Sequence, residues 1–213
     1  METDRYSTKD GYARKVTIPI GRSTYYTYLA EARDKHKSSI YSPPFYSSST
    51  GYKVCARLYP YGDENIFGKY MSISFVIMRS TNDPLLSYPF NYEVAFCLVD
   101  QTNQQRHIIR TIQPYEQSNC FQKPRLDMNT PTEISDFVPL YIIEQVDNPY
   151  VKNDTMFIRI LIDFENLPKM VLPYVMSLNP GFPPYTRYKM IQQEVERNQR
   201  GLQSQIACIQ TNY

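Results

Sequence analysis

Three side chains that can recognise a charged ligand are grouped in the stretch YKVCARLYPYGDEN, residues 52–65. Read with the two-residue period of a β-strand, the stretch places apolar side chains on one face and Arg57 and Tyr59 on the other. Asp63 follows a Pro-Tyr-Gly turn, where it can accept from backbone amides or hold Arg57. The stretch predicts either a cationic and aromatic platform suited to a carboxylate or an ordinary surface strand with cross-strand charge pairs.

Patterns typical of enzymes and metal proteins do not occur in the sequence. There are only two histidines, His36 and His107, so few residues are available for a catalytic Ser/His/Asp triad or Cys/His pair. The four cysteines lie far apart with no CxxC or Cys/His pairing, which favours three small buried apolar side chains and one in the tail over a zinc site or a redox dithiol. A disulfide in a secreted chain is the alternative. We therefore expect no catalysis, no cofactor and no metal.

Composition and charge limit the partners. A formal net charge of +2 over 213 residues is too small for a typical nucleic-acid-binding domain. No apolar run reaches membrane-spanning length, and the polar start METDRYSTKDGYARK lacks the apolar core of a signal peptide. We expect a cytoplasmic globular domain that does not bind nucleic acid.

Short apolar runs alternate with turn signals from Tyr25 to about Phe164, which is typical of an antiparallel β-sandwich. In YMSISFVIM the alternate residues Met71, Ile73, Phe75 and Ile77 are all large and apolar, so one face of that strand is predicted to enter the core. A weaker strand is predicted at Ile142–Gln145. The other candidate strands are Tyr25–Glu31, Gly51–Tyr59, Tyr70–Met78, Tyr92–Asp100, Gln105–Ile112 and Thr155–Asp163.

The chain divides into three parts around this all-β sandwich of seven to eight strands. Residues 1–24 form an N-terminal extension whose VTIPI run is predicted as an edge strand or as disordered chain. Residues 25–165 form the sandwich. Residues 166–213 begin with a proline-rich connector, and a helix is predicted from Arg187. Its short, polar heptad pattern favours either docking on its own domain or an oligomer contact, with fraying as the third outcome.

Several runs resemble the C-terminal domain of the TNF-receptor-associated factors, the MATH or meprin-and-TRAF-homology fold. They are IYSPPFYSSSTGYKVCARLYPYGD, YMSISFVIMRSTNDPLLSYPFNYEVAFCLVDQ, CFQKP followed by DMN, and YVKNDTMFIRILID, and they span about Tyr25–Phe164. The resemblance implies an eight-stranded antiparallel sandwich that binds short extended peptides of receptor tails and adaptors. Such a peptide lies against an edge strand, and pockets contact its alternate side chains.

The resemblance also implies the positions of a peptide site. The family's RxYxxxD run falls on Arg57, Tyr59 and Asp63 with the same spacing. This face is therefore expected to bind a charged or polar residue of the peptide. The family's three serines, which hydrogen-bond a peptide glutamine, fall on residues 118–120, where only Ser118 keeps the hydroxyl. The implied peptide-binding set is Arg57, Tyr59, Asp63, Ser74, Ile112, Ser118, Asn119, Cys120, Phe121 and Thr130.

The chain departs from the family pattern in the other subsites. Two family aromatics of the apolar pocket are replaced by Ser74 and Ile112, and a family Ser-Gly pair falls on Thr132 and Glu133. Loss of the two rings removes contact area for a proline or small apolar peptide residue. These departures predict a peptide motif different from that of the relatives.

Two other functions stay open beside receptor-tail binding. The resemblance implies a homo-oligomer, a trimer, and the C-terminal heptads alone can support a purely structural oligomerisation unit. A membrane-surface domain is the second alternative, in which a basic patch binds anionic lipid headgroups. The residues of that predicted patch are Lys69, Arg106, His107, Arg110, Lys123 and Arg125.

Overall fold

The computed structural model describes residues 14–21, 39–63, 66–102, 104–164, 166–179 and 181–210, which form two antiparallel sheets followed by helices. Three short 3₁₀ helices lie at Asp83–Leu85, Asn119–Phe121 and Lys169–Val171. The helices are α1 Leu140–Glu144, α2 Leu172–Ser177 and α3 Pro184–Gln210. The strands are β1 Arg14–Gly21, β2 Ile40–Tyr41, β3 Phe45–Tyr46, β4 Lys53–Tyr59, β5 Tyr70–Met78, β6 Glu93–Leu98, β7 Ile108–Ile112, β8 Thr132–Pro139 and β9 Thr155–Asp163.

Every strand pairing in the described part of the chain is antiparallel. The first sheet has the order β1-β9-β6-β7, and the second has the order β2-β4-β5-β8, with β3 also paired to β4. Strand β8 is thus the last strand of the second sheet and pairs only with β5 among the described strands. The predicted antiparallel sandwich with a C-terminal helix is confirmed.

The core lies between the two sheets, where the apolar alternation of the sequence places it. In β5, Met71, Ile73 and Phe75 are almost completely buried. Phe96 of β6 and Phe137 of β8 meet across the sandwich edge to face, with ring centroids 6.3 Å apart, and both are fully buried. Aromatic contacts of this kind bind one sheet to the other.

A second apolar cluster lies on the outer face of the first sheet, under the C-terminal segment. Ala95 and Leu161 on that face are covered by Val175 of α2 and Ile191 of α3. The prolines of the connector do not prevent helix α2 from forming. Pro173 stands in the first turn of α2, where a missing N–H is tolerated. The N-terminal part of α3 is therefore docked on its own domain.

In the second half of the chain, one predicted strand is wrong and one observed strand was not predicted. The strand predicted at Ile142–Gln145 is wrong, because the segment belongs to helix α1. Leu140 and Ile143, three residues apart, are its buried residues, and this spacing is helical. Strand β8 was not predicted, since its register shifts by two residues opposite β5, which breaks the alternation of its apolar residues.

The other predicted elements agree with the structure to within a few residues. Strands β5 and β9 have the predicted bounds, and the VTIPI run is an edge strand, β1, paired with β9. The predicted strand Tyr25–Glu31 lies outside the described residues. Cys55, Cys97 and Cys120 are not joined by disulfides, and the first two are buried. Within the described ranges, no helix is long and apolar enough to cross a membrane.

The contact between the sheets gives the first prediction. Phe96→Ala removes a fully buried ring and should lower the free energy of unfolding by about 3–5 kcal/mol, because the cavity stays only partly filled. Chemical denaturation measures this. Leu126→Ala, at a side chain with 76% exposure, is the control and should change stability by less than about 0.5 kcal/mol. Equal losses in the two variants would contradict the core described above.

Candidate functional site

Arg57 is held between two tyrosine rings on the outer face of the second sheet. Tyr41 of β2 is its cross-strand partner, and Tyr59 lies two residues further along β4. The guanidinium carbon is 5.0 Å from the Tyr41 ring centroid and 4.7 Å from that of Tyr59. Its Nε donates to Ser39 Oγ over 2.8 Å. Two cation–π contacts and this hydrogen bond restrict the orientation of the guanidinium at this surface.

A row of polar residues crosses three strands from this stacked arginine. Arg57 of β4 pairs with Ser74 of β5, which pairs with Glu133 of β8. Ser74 is fully buried, and its hydroxyl donates to Glu133 Oε1 over 3.2 Å. Glu133 itself is exposed. The row therefore begins at a guanidinium and ends at a carboxylate on the last strand of the sheet.

Ser72 joins the turn that follows β4 to the irregular part of β8. This buried residue pairs with Tyr59 across the sheet, its Oγ donates to the Ser135 carbonyl over 2.7 Å, and it accepts from the Asp63 N–H over 3.1 Å. Asp63 Oδ1 in turn accepts from the Ile66 N–H over 3.3 Å. Asp63 thus accepts from a backbone amide, one of the two roles its position in the sequence suggested.

The electrostatics of the row are governed by two carboxylates close to one guanidinium. The pKa of Glu133 is raised, first by partial burial of its carboxyl and to a smaller extent by the charge of Asp63. The Ser74 hydrogen bond and the charge of Arg57 act in the opposite direction. Burial likewise raises the pKa of the Tyr59 hydroxyl, and Arg57 opposes that shift. The end of the row at β8 is therefore negative in character.

The segment that the resemblance aligned with the family's serines lies beside the start of β8. Ser118 is buried and caps the 3₁₀ helix, since its Oγ accepts from the Cys120 N–H over 3.3 Å. The Cys120 thiol lies 3.9 Å from the Pro131 carbonyl oxygen, and Asn129 Nδ2 donates to the Cys120 carbonyl over 3.0 Å. Asn119 and Thr130 are exposed there.

Two of the sequence-predicted positions lie beneath this surface. Phe121 is 1% exposed and stacks on Phe90 with ring centroids 6.3 Å apart, and Ile112 is buried in the same core. Both side chains support the surface from the core side. The structure thus groups Arg57, Tyr59 and Ser74 in one row and leaves Asn119, Cys120 and Thr130 near the start of β8.

Sequence reasoning did not include Tyr41 and Glu133 in the site. Tyr41 reaches Arg57 through the pairing of β2 with β4, and such long-range register is not encoded in any local pattern. Glu133 was noted where the family has glycine, but its contact with Ser74 depends on the pairing of β5 with β8.

The residues predicted as a basic patch are distributed over several elements. Lys69 precedes β5, Arg110 is on β7, and Lys123 follows the 3₁₀ helix. Near two further members of the set, the Asp100 carboxylate accepts from the Arg106 N–H over 2.9 Å, and the Asp100 N–H donates to His107 Nδ1 over 3.0 Å. An acidic residue therefore lies within the predicted patch. The described ranges contain no group of His, Cys, Asp and Glu able to hold a metal ion.

The two-sheet antiparallel sandwich is the fold of a MATH-type domain. The family model for the TRAF/meprin MATH domain matches residues 37–159, and the chain belongs to this family. TNF receptor-associated factor 5 of Mus musculus is 37% identical over 166 residues, covering 77% of this chain and 29% of that protein. TNF receptor-associated factor 2 of Homo sapiens is 40% identical over 129 residues, covering 61% and 25% respectively.

A solved structure supports the same assignment. TRAF5 of Notothenia coriiceps superposes with a TM-score of 0.65 at 29% sequence identity, covering 75% of this chain and 76% of that chain. The family resemblance recognised in the sequence is confirmed. The chain spans 29% and 25% of the two curated relatives described above.

The link made by Ser72 gives the second prediction. Ser72→Ala leaves the Asp63 N–H and the half-buried Ser135 carbonyl without these hydrogen bonds, and the unmet buried amide of Asp63 costs about 1–3 kcal/mol. We expect a lower free energy of unfolding and faster amide hydrogen exchange at both segments. Thr130→Ala, which removes an exposed hydroxyl nearby, is the control. Unchanged exchange at Asp63 in Ser72→Ala would contradict the link.

The raised pKa of Glu133 gives a prediction of pH dependence. The folded state binds the Glu133 carboxyl proton more tightly than the unfolded chain does. Protonation of Glu133 therefore stabilises the fold at low pH, and this contribution is lost as the pH rises through the folded-state pKa. Glu133→Gln should therefore melt at a higher temperature than the wild type at neutral pH. The difference should vanish below the carboxyl's ordinary pKa of 4.5.

Thermal melts from acid to neutral pH measure this difference. Glu116→Gln, on an exposed loop, controls for the loss of one negative charge elsewhere on the surface. A Glu133→Gln variant that is less stable than the wild type at neutral pH would show that the carboxylate stabilises the fold, contrary to the electrostatics of the row.

Proposed function

We propose that this chain is the peptide-binding domain of a cytoplasmic signalling adaptor and has no catalytic activity. Its ligands are short extended segments from the tails of receptors or from other adaptors. Membership of the TRAF/meprin MATH family supports this, as do curated relatives whose names associate them with TNF receptors. The polar row on the second sheet supports it independently of the comparisons.

The observation that carries the proposal is the stacked guanidinium of Arg57 at one end of a row that leads to an edge strand. Arg57 is partly exposed, and its contacts with Tyr41, Tyr59 and Ser39 hold it in one orientation. A planar guanidinium held in this way is prepared to bind a carboxylate through two parallel hydrogen bonds. The entropy of ordering the side chain has then been lost before the ligand arrives.

Strand β8 offers the backbone edge that an extended peptide needs. Its regular pairing with β5 covers Thr132–Ile134, and the bulge begins immediately after. An added strand gains main-chain hydrogen bonds along such an edge, while side chains on the sheet face read alternate peptide residues. Asn119 and Thr130 are exposed near the start of β8, and we expect them to contact the peptide beyond the regular edge.

We also propose that the adaptor works as a homo-oligomer, a trimer as the family resemblance implies. Weak single sites then act together, since linked sites raise the overall affinity without any new contact. Helix α3 is 27 residues long, and its N-terminal part is docked through Ile191. Light scattering on the full chain and on a chain ending at Glu196 measures whether the distal half of α3 contributes to the assembly.

The role of Arg57 gives the prediction that tests the function. In an anisotropy titration against a panel of fluorescent acidic and glutamine-containing peptides, the wild type should show saturable binding. Arg57→Ala should weaken it about tenfold or more, since hydrogen bonds to a charged group contribute about 1.5–3 kcal/mol. Arg57→Lys should lie between the two, because the charge remains while the planar fork is lost.

Arg197→Ala is the matched control, since it removes an exposed arginine from α3, the helix docked on the outer face of the other sheet. It should bind every peptide as the wild type does. Circular dichroism confirms that each variant is folded. Equal affinities of Arg57→Ala and the wild type would remove Arg57 from the site, and absence of saturable binding to any peptide would overturn the proposed function.

A further inference from the structure

We propose that the peptide bound at this surface presents a lysine or arginine to Glu133, so that the site selects a mixed-charge segment over a wholly acidic one. The inference rests on the proposed function and adds the chemical class of the ligand. It makes Glu133 the residue that determines specificity at the β8 end of the row, while Arg57 binds an acidic or polar group at the other end.

The first reason is the position of Glu133. It is the middle residue of the regular segment Thr132–Ile134, the part of β8 that can pair with an added strand. A residue directly opposite on such a strand has its Cβ about 4.5–5.5 Å away, well within reach of a long basic side chain. Any peptide that pairs with this edge therefore brings one side chain to the Glu133 carboxylate.

The second reason is the incomplete hydrogen bonding of that carboxylate. An ionised carboxylate can accept about four hydrogen bonds. In the part of the chain that the structure describes, the Ser74 hydroxyl is the donor that Glu133 meets, at 3.2 Å. Because Ser74 is fully buried, this contact fixes one oxygen at the sheet and directs the rest of the exposed carboxylate to the ligand side.

The third reason is the balance of charge around the row. Asp63 adds a second carboxylate close enough to raise the pKa of Glu133. The guanidinium of Arg57, which lies against Tyr41 and Tyr59, acts in the opposite direction, but the pKa of Glu133 stays raised. An acidic peptide residue at Glu133 would meet like charge, whereas a basic residue would meet opposite charge. Discrimination of this kind comes from the repulsion as much as from the attraction.

The experiment is a charge-swap selection with a phage-displayed library of random peptides. The wild-type domain should enrich peptides with a lysine or arginine at one fixed position, and Glu133→Lys should enrich aspartate or glutamate at that same position. Asp136→Lys is the matched control, because Asp136 is an exposed acidic residue of β8 beyond the regular segment. It should keep the wild-type preference.

The leading wild-type peptide is then titrated by anisotropy beside a version with its basic residue changed to glutamate. We expect about three- to tenfold weaker binding to the wild type, a size set by partly exposed charge pairs. The order of the two affinities should reverse with Glu133→Lys. Raising the salt concentration should reduce both differences, because exposed charges are screened.

The outcomes separate this inference from the function on which it rests. Peptides that bind through Arg57 with no charge preference at the fixed position, or with the same preference in Glu133→Lys as in the wild type, would overturn the inference and leave the proposed function intact. No enrichment by the wild-type domain, together with no saturable binding in the anisotropy panel, would overturn both.

Discussion

The burial of strand β5 on both faces is the constraint on which the site depends. Seven consecutive residues of this strand are buried, although two of them, Ser72 and Ser74, carry hydroxyls on the face away from the core. A buried hydroxyl is costly unless it is hydrogen-bonded. Ser72 is satisfied by the Asp63 turn and the β8 bulge, and Ser74 by Glu133. The need to satisfy two serines therefore sets the positions of the surrounding polar groups.

The C-terminal segment determines which face of the sandwich is available to a ligand. Helices α2 and α3 cover the outer face of the first sheet through Val175 and Ile191. The polar row lies on the second sheet, at the side of the molecule that these helices do not cover. The outer face of the first sheet is thus covered by the C-terminal segment, whereas Arg57 and Glu133 lie at the surface of the second sheet.

Sequence reasoning recovered the elements whose pattern is local and missed those that depend on pairing. Strand β5 was predicted to the residue because its core-facing alternation is regular, and the spacing of Arg57 and Tyr59 placed both on one face. Strand β8 was missed since a bulge interrupts its pattern, and α1 was mistaken for a strand because its apolar run is short. The contribution of Tyr41 to the site required the register of β2 on β4, which only the folded structure provides.

The central claim is that an extended peptide lies along the outer edge of β8 and reaches the stacked arginine. Two-dimensional amide spectra of the isotopically labelled domain, recorded while a selected peptide is added, test it most directly. We expect the largest shifts in Thr130–Ile134 and around Arg57 and Tyr41, with little change in α2 and α3. Shifts confined to α2 and α3 would contradict it, because the ligand would then bind the side of the molecule that these helices cover.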